Sequence, residues 1–182
     1  MYNVSEDMIH DLESQLEVNG LNVDDYTEED LTVMLNNAVS VIGSQYVEGT
    51  LEREKVILSE EDSITTLCYP VVVDSVVLTL ENDQDIMEKV DYITSEGIIT
   101  FKKPISGALR LEYLNCADAD VIEQYIVLVA LQLLKNGAGK NLASINEGDV
   151  SISYNTAGAD AASLDRLVSD LHSMYGARVQ LL

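Results

Sequence analysis

Tryptophan is absent from this chain, and phenylalanine occurs once, at position 101. Leu, Ile, Val and Tyr must therefore build the core, and an aromatic-rich catalytic cleft is not expected. Basic residues are almost as scarce. Ten Lys and Arg stand against 32 Asp and Glu, for a net charge of −22, and none of the ten falls before Arg53. A protein that grips nucleic acid by its phosphates needs clustered cations, so that class is disfavoured. Only two histidines are available, His10 and His172, each expected at a surface or boundary rather than as a catalytic base. The two cysteines, Cys68 and Cys116, fall in or beside predicted strands. They read as buried thiols, and a disulfide between them is left open. No long apolar run exists. The longest, Tyr125–Leu131, is far too short to span a bilayer. The N-terminus shows neither the basic nor the apolar region of a signal peptide, so a soluble, cytoplasmically made protein with no membrane partner is expected.

Chemical motifs are also lacking. Gly137-Ala138-Gly139-Lys140 hints at a phosphate loop but has neither the spacing between glycines nor the hydroxyl residue after the lysine. No Gly-x-Ser-x-Gly elbow is present. Asp83 with Asp85, or Asp118 with Asp120, offer carboxylate pairs, but a loop or a helix cap is the better reading. The expectation is a protein that is not an enzyme and needs no cofactor or metal.

What is present is 182 residues, 47% of them hydrophobic, enough for a real core in one domain or one domain with an insertion. Twelve acids lie within the first 52 residues. They read as a solvated acidic face, or as a surface that must not adhere to a passing polyanion. Adaptation to high salt fits less well with eleven Asn and abundant Ile.

Helical spacing marks residues 5–17, with Ser5 as cap, Ile9, Leu12 and Leu16 as stripe, and Asn19-Gly20 as stop. It recurs from Thr27, with Asp30 at the capping-box position, and fades near Gln45. The period then becomes two. Lys55–Ser59, Ser63–Leu67, Asp74–Leu80, Val90–Thr94, Ile98–Phe101 and Ala108–Leu114 read as strands. Gly97 supplies a tight hairpin link, and Pro104 and Gly107 flank another. From Ala119 to Leu134 comes a helix of roughly 24 Å in which only a few residues are polar. So apolar a helix should need covering by the sheet or by a neighbouring subunit. A lone strand, Asp149–Tyr154, follows with Val150, Ile152 and Tyr154 on one face, and then a helix over about 160–175 with Gly176 as its stop. The lone strand cannot satisfy its own backbone and must pair with the sheet or with another copy. The fold expected is α+β: a helical bundle with an inserted antiparallel β-sheet and a lone strand before the C-terminal helix. The expected sections are 1–53, 54–116 and 117–182, the two helical ones forming one core.

This order of elements resembles the head–tail connector, or adaptor, proteins of tailed bacteriophages and related proviruses. The likeness rests on Glu147–Tyr154 after the apolar helix, and on Tyr92-Ile93, Gly97–Phe101 and Gly107–Tyr113. The inserted sheet departs from the shorter, mainly helical members. The resemblance implies a virion subunit assembled in the host cytoplasm, in a ring of about a dozen copies at the head–tail neck. Its partners would be itself, the portal protein and a downstream stopper or tail protein, with DNA passing through unbound. Val150, Ile152 and Tyr154 would form a subunit interface by strand addition. Arg178, Val179, Leu181 and Leu182 would be a portal contact. The alternatives are another neck or tail-completion protein, or a monomeric β-sheet module binding a sugar or peptide.

Overall fold

The computed structural model describes residues 2–81, 85–136 and 159–178. Its elements are α1 (Glu6–Val18), α2 (Glu28–Ile42), α3 (Ser44–Val47), β1 (Thr50–Thr65), β2 (Cys68–Tyr69), β3 (Val77–Leu80), β4 (Val90–Ile93), β5 (Ile98–Asn115), α4 (Ala119–Lys135), α5 (Ala159–Ser173) and β6 (Gly176–Ala177). This is an α+β fold with an antiparallel sheet between helical segments. Two compact units arise: Met1–Ser44 with Ala119–Leu171, and Gln45–Asp118 with His172–Leu182.

In the helical unit, local chemistry sets the ends. Ser5 Oγ accepts the Met8 N–H at 3.3 Å and starts α1. At its end the Leu21 N–H returns to Leu16 O and the Gly20 N–H to Glu17 O, a Schellman pattern around Gly20 at φ 74°. Thr27 and Asp30 form a reciprocal capping box on α2, with bonds of 3.2 and 2.9 Å, so the short carboxylate still reaches back to the backbone. The α2 helix stops at Gly43, whose φ of 99° breaks the helical path. Both helices pack on α4. Ile122, Ile126, Val129, Ala130, Leu133 and Leu134 of α4 are all buried, each large one contributing about 2 kcal/mol. The helix was expected to need the sheet or a neighbouring subunit as cover, and α1 and α2 supply that cover instead. One chain covers it, and of its large apolar side chains only Leu128 is exposed.

In the sheet unit, β5 is the central strand, with β1 along one edge and β3 and β4 along the other. Two pairs of predicted strands fuse. Lys55–Ser59 and Ser63–Leu67 are parts of β1, and Ile98–Phe101 and Ala108–Leu114 are parts of β5. Pro104 and Gly107 therefore lie within a strand rather than beside a link. The ladder tolerates them because it is irregular there. Register passes from Leu58↔Gly107 to Glu61↔Ile105 and then to Ser63↔Thr100, so residues 101–104 have only Asp62 opposite them on β1. Proline's missing N–H costs little at such a place. Glu60 takes φ 58° in the bulge, and its N–H is held by Ser106 Oγ at 2.9 Å. The turn predicted at Gly97 is present, with φ 79°. Inward side chains of the sheet, including Leu58, Leu109, Leu111 and Tyr113, join Val71, Val76 and Ile86 from the connecting segments in one buried cluster.

The chain end corrects a further expectation. Gly176 does not stop a helix, since α5 ends at Ser173 and Gly176 pairs with Tyr69 in the β2–β6 ladder. That pairing places the C-terminal segment with the sheet unit. The lone strand 149–154 lies outside the described residues.

Candidate interaction surface

Of the residues singled out from the sequence, Val150, Ile152 and Tyr154 lie outside the described residues, as do Val179, Leu181, Leu182 and the glycine-lysine segment at 137–140. Arg178 is described, and its donors are used within the chain. Its N–H bonds Leu67 O at 2.7 Å, while the guanidinium donates to Thr66 O at 2.8 Å and to Glu96 O at 2.7 Å. The guanidinium also lies 4.6 Å from the centroid of the Tyr69 ring, a cation–π contact. Arg178 thus anchors the chain end to the sheet unit.

Beneath this clamp is a polar node that the sequence pattern did not reveal. The Tyr113 hydroxyl donates to Glu54 Oε1 and accepts the Cys68 N–H at 3.0 Å, and the same carboxylate oxygen accepts the Leu67 N–H at 2.7 Å. Burial, then the bonded carboxylate, push the Tyr113 hydroxyl far above its ordinary range. The buried Oε2 of Glu54 has no partner among the described residues. These contacts tie the segment entering β2 to the β1–β5 ladder.

A second node holds the end of α5. Tyr46 stacks on His172 at 3.7 Å and meets Tyr175 edge-on at 5.0 Å. The Tyr175 hydroxyl donates to Tyr46 O at 2.6 Å and accepts the Ala117 N–H at 2.9 Å. Burial pushes that hydroxyl up to about 12. The neighbouring Cys116 thiol is buried and raised for the same reason, and Cys68 and Cys116 are both free. His10 is an exposed residue bonded to Glu13 at 3.1 Å, which raises its imidazole. Asp85 accepts the Met87 N–H at 2.8 Å as a turn residue. Among the described residues, no group of three His, Cys, Asp or Glu side chains converges as a metal site. No helix among them is long and apolar enough to cross a membrane.

The surfaces are more informative than these interior nodes. Among the described strands, β1 pairs only with β5, which leaves one side of a 16-residue strand open. Its bulge at Glu60 and its charged side chains are devices that discourage indiscriminate pairing. The open, regular part is Thr50–Leu58. Leu51, Arg53, Lys55 and Ile57 of β1 point away from the core, beside Arg110 and Glu112 of β5. Arg53 pairs with Glu112 at 3.3 Å and Lys55 with Glu81 at 3.6 Å, both at the surface and worth little each. Farther along, Lys89, Lys102 and Lys103 border an open groove of about 480 Å³ over Leu80 and Ile105. Six of the ten basic residues thus lie on the sheet unit's outer face or this groove. In the helical unit, Asp11, Ser14, Gln15, Gln124, Val127 and Leu128 line a groove of about 320 Å³ between α1 and α4.

No protein-family model matches the chain, and no curated protein matches it.

Proposed function

We propose that this protein is a non-enzymatic structural subunit that assembles with copies of itself, in the manner of a tailed-phage head–tail connector ring docked beneath a portal and extending the DNA channel. The observation that carries the reading is the edge of β1 over Thr50–Leu58 that no described strand pairs, beside an outward face on which Ile57 is 82% exposed. An ordered strand with unpaired backbone groups is a template for a strand from another chain. The interior hydrogen bonds at Tyr113 and Tyr175 tie segments of the sheet unit together. A net charge of −22 suits a conduit wall that repels DNA at close range. Residence in the virion neck and contact with a stopper or tail protein belong to the same proposal.

The test is to mix the purified protein with the portal protein of the same genome and image the product by electron microscopy. Closed rings on the portal are expected. A chain that neither binds portal nor forms rings sinks the reading.

The lysine-bordered groove favours a second reading, a β-sheet module for an anionic peptide. Calorimetric titration with an acidic peptide separates the two, because saturable binding by a protein that remains monomeric with portal present supports only the module.

A further inference from the structure

Among the described residues, Lys89 and Lys103 are the Lys and Arg side chains that have no partner. The other bases are engaged: Arg53 with Glu112, Lys55 with Glu81, Arg166 with Asp170, Lys135 with Asn19, Arg178 with backbone carbonyls, and Arg110 as well. Both unpartnered lysines border the same open groove of about 480 Å³. Lys102 borders it too, and its Nζ donates to Glu88 O at 2.8 Å. A carbonyl fixes that ammonium in place without cancelling its charge. Successive residues of a regular strand point to opposite faces. Here the register slip leaves residues 101–104 with only Asp62 opposite them on β1, so Lys102 and Lys103 can border one groove.

Glu88 is the one acid in the lining, so three ammonium groups, none of them ion-paired, stand against a single carboxylate. Between them the groove is apolar, over Leu80, Pro104 and Ile105. We propose that this groove docks an extended acidic segment of a separate protein. An apolar side chain of that segment seats on Leu80 and Ile105, and flanking carboxylates face Lys89 and Lys103. The lysines set the sign and orientation of the occupant, and the floor supplies the area its anchor buries. Duplex DNA offers the charge but has nothing to place on the apolar floor. A second copy of the chain fits less well, because the acids of its first 52 residues stand chiefly on α1 and α2 rather than on an extended stretch. This inference rests on the second reading above, the module for an anionic peptide, and deepens it by naming the contacts. It does not depend on ring formation.

The test is calorimetric titration with the blocked peptide Asp-Glu-Leu-Asp-Glu, the same peptide with Ser in place of Leu, a short DNA duplex and inorganic phosphate, at about 0.05 M and about 0.5 M salt. Saturable binding of the leucine peptide that weakens at the higher salt is expected, with the other three probes about tenfold weaker or more. Lys89→Gln/Lys103→Gln should weaken it about fivefold. Glu88→Gln should tighten it about twofold, because the one like charge of the lining is removed while the backbone carbonyl still holds Lys102. Lys103 and Glu88 are exposed, so Lys103→Gln alone and Glu88→Gln decide the matter if the double variant loses stability. Leucine-peptide binding unchanged in all these variants overturns the inference and leaves the module reading standing. Equal binding of the serine peptide, the duplex or phosphate also overturns it, as adherence of any anion. Peptide binding that disappears as the protein associates with itself places a second copy in the groove and overturns it too. Absence of leucine-peptide binding at the lower salt overturns both the inference and the module reading, and leaves ring formation on the portal untouched.

Discussion

Tyr69 lies directly over Gly176, its ladder partner, so closely that a Cβ placed on the glycine would come within 2.1 Å of the ring's Cζ. The ring is held from leaving by the Arg178 guanidinium at 4.6 Å. Gly176 is therefore required for its missing side chain, not for an unusual φ. Gly176→Ala should push the ring off the ladder and cost about 1–3 kcal/mol, the usual range for overpacking. Thermal denaturation should show the loss, and limited proteolysis should show earlier cleavage of the C-terminal segment. Unchanged protease resistance would contradict the close approach.

Gly97 combines two constraints. Its φ is 79°, and a Cβ there would meet Thr66 Oγ1 at 1.8 Å. Thr66 is buried and its hydroxyl is committed to Cys68 O at 2.8 Å, so it has little freedom to yield. Gly97→Ala should destabilise by more than about 1 kcal/mol, since it adds a steric clash to the backbone penalty. Chemical denaturation with urea measures this as a lower midpoint at unchanged slope.

Tyr113→Phe should leave the Cys68 N–H without its acceptor and remove one of the two donors to Glu54 Oε1. A cost of about 1–3 kcal/mol is expected, the penalty for orphaning a buried polar group. In a double-mutant cycle with Glu54→Gln, the two changes should be non-additive by about 0.5 kcal/mol or more. Additive losses would mean that the two side chains do not work as a pair.

Tyr175 predicts the alkaline limit of stability. Its folded-state value is raised by burial, from 10 to about 12. The folded chain therefore holds this proton more tightly than the unfolded chain. The associated stability is complete below about pH 10 and is lost progressively as pH rises through about 12. Tyr113 is shifted in the same direction and adds to the loss. Melting temperature should fall between these limits, together with the rise in tyrosinate absorbance. Tyr175→Phe should flatten that fall while lowering stability at neutral pH, because Tyr46 O and the Ala117 N–H lose their partner. A wild-type and variant pair with parallel alkaline profiles would refute the assignment.

Helix starts were legible because a cap lies within three residues of the groups it serves, as Ser5 does with Met8 and Thr27 with Asp30. Strand periodicity was legible for the same reason, and so was the Gly97 turn. The fusion of strand pieces into β1 and β5 was not. Gly107 and Pro104 look like breaks to a local reading, and only the partner strand shows that the ladder slips around them. The outward placement of Arg53, Lys55 and Ile57 follows from alternation along β1, yet their neighbour Arg110 comes from 55 positions downstream of Lys55 and needed the register.

The sequence by itself determined the class of fold, both ends of α1, the start of α2, the acidic character of the first 52 residues and the scarcity of histidine. Each of these depends on composition or on residues within a turn or two. Tertiary structure decided that one chain buries α4, that Tyr113 meets Glu54 across 59 positions, and that the chain end returns to the sheet through Gly176 and Arg178. Those outcomes depend on which distant segments share a boundary once water is excluded. Burial and register, which create and satisfy those polar groups, exist only after the segments have met.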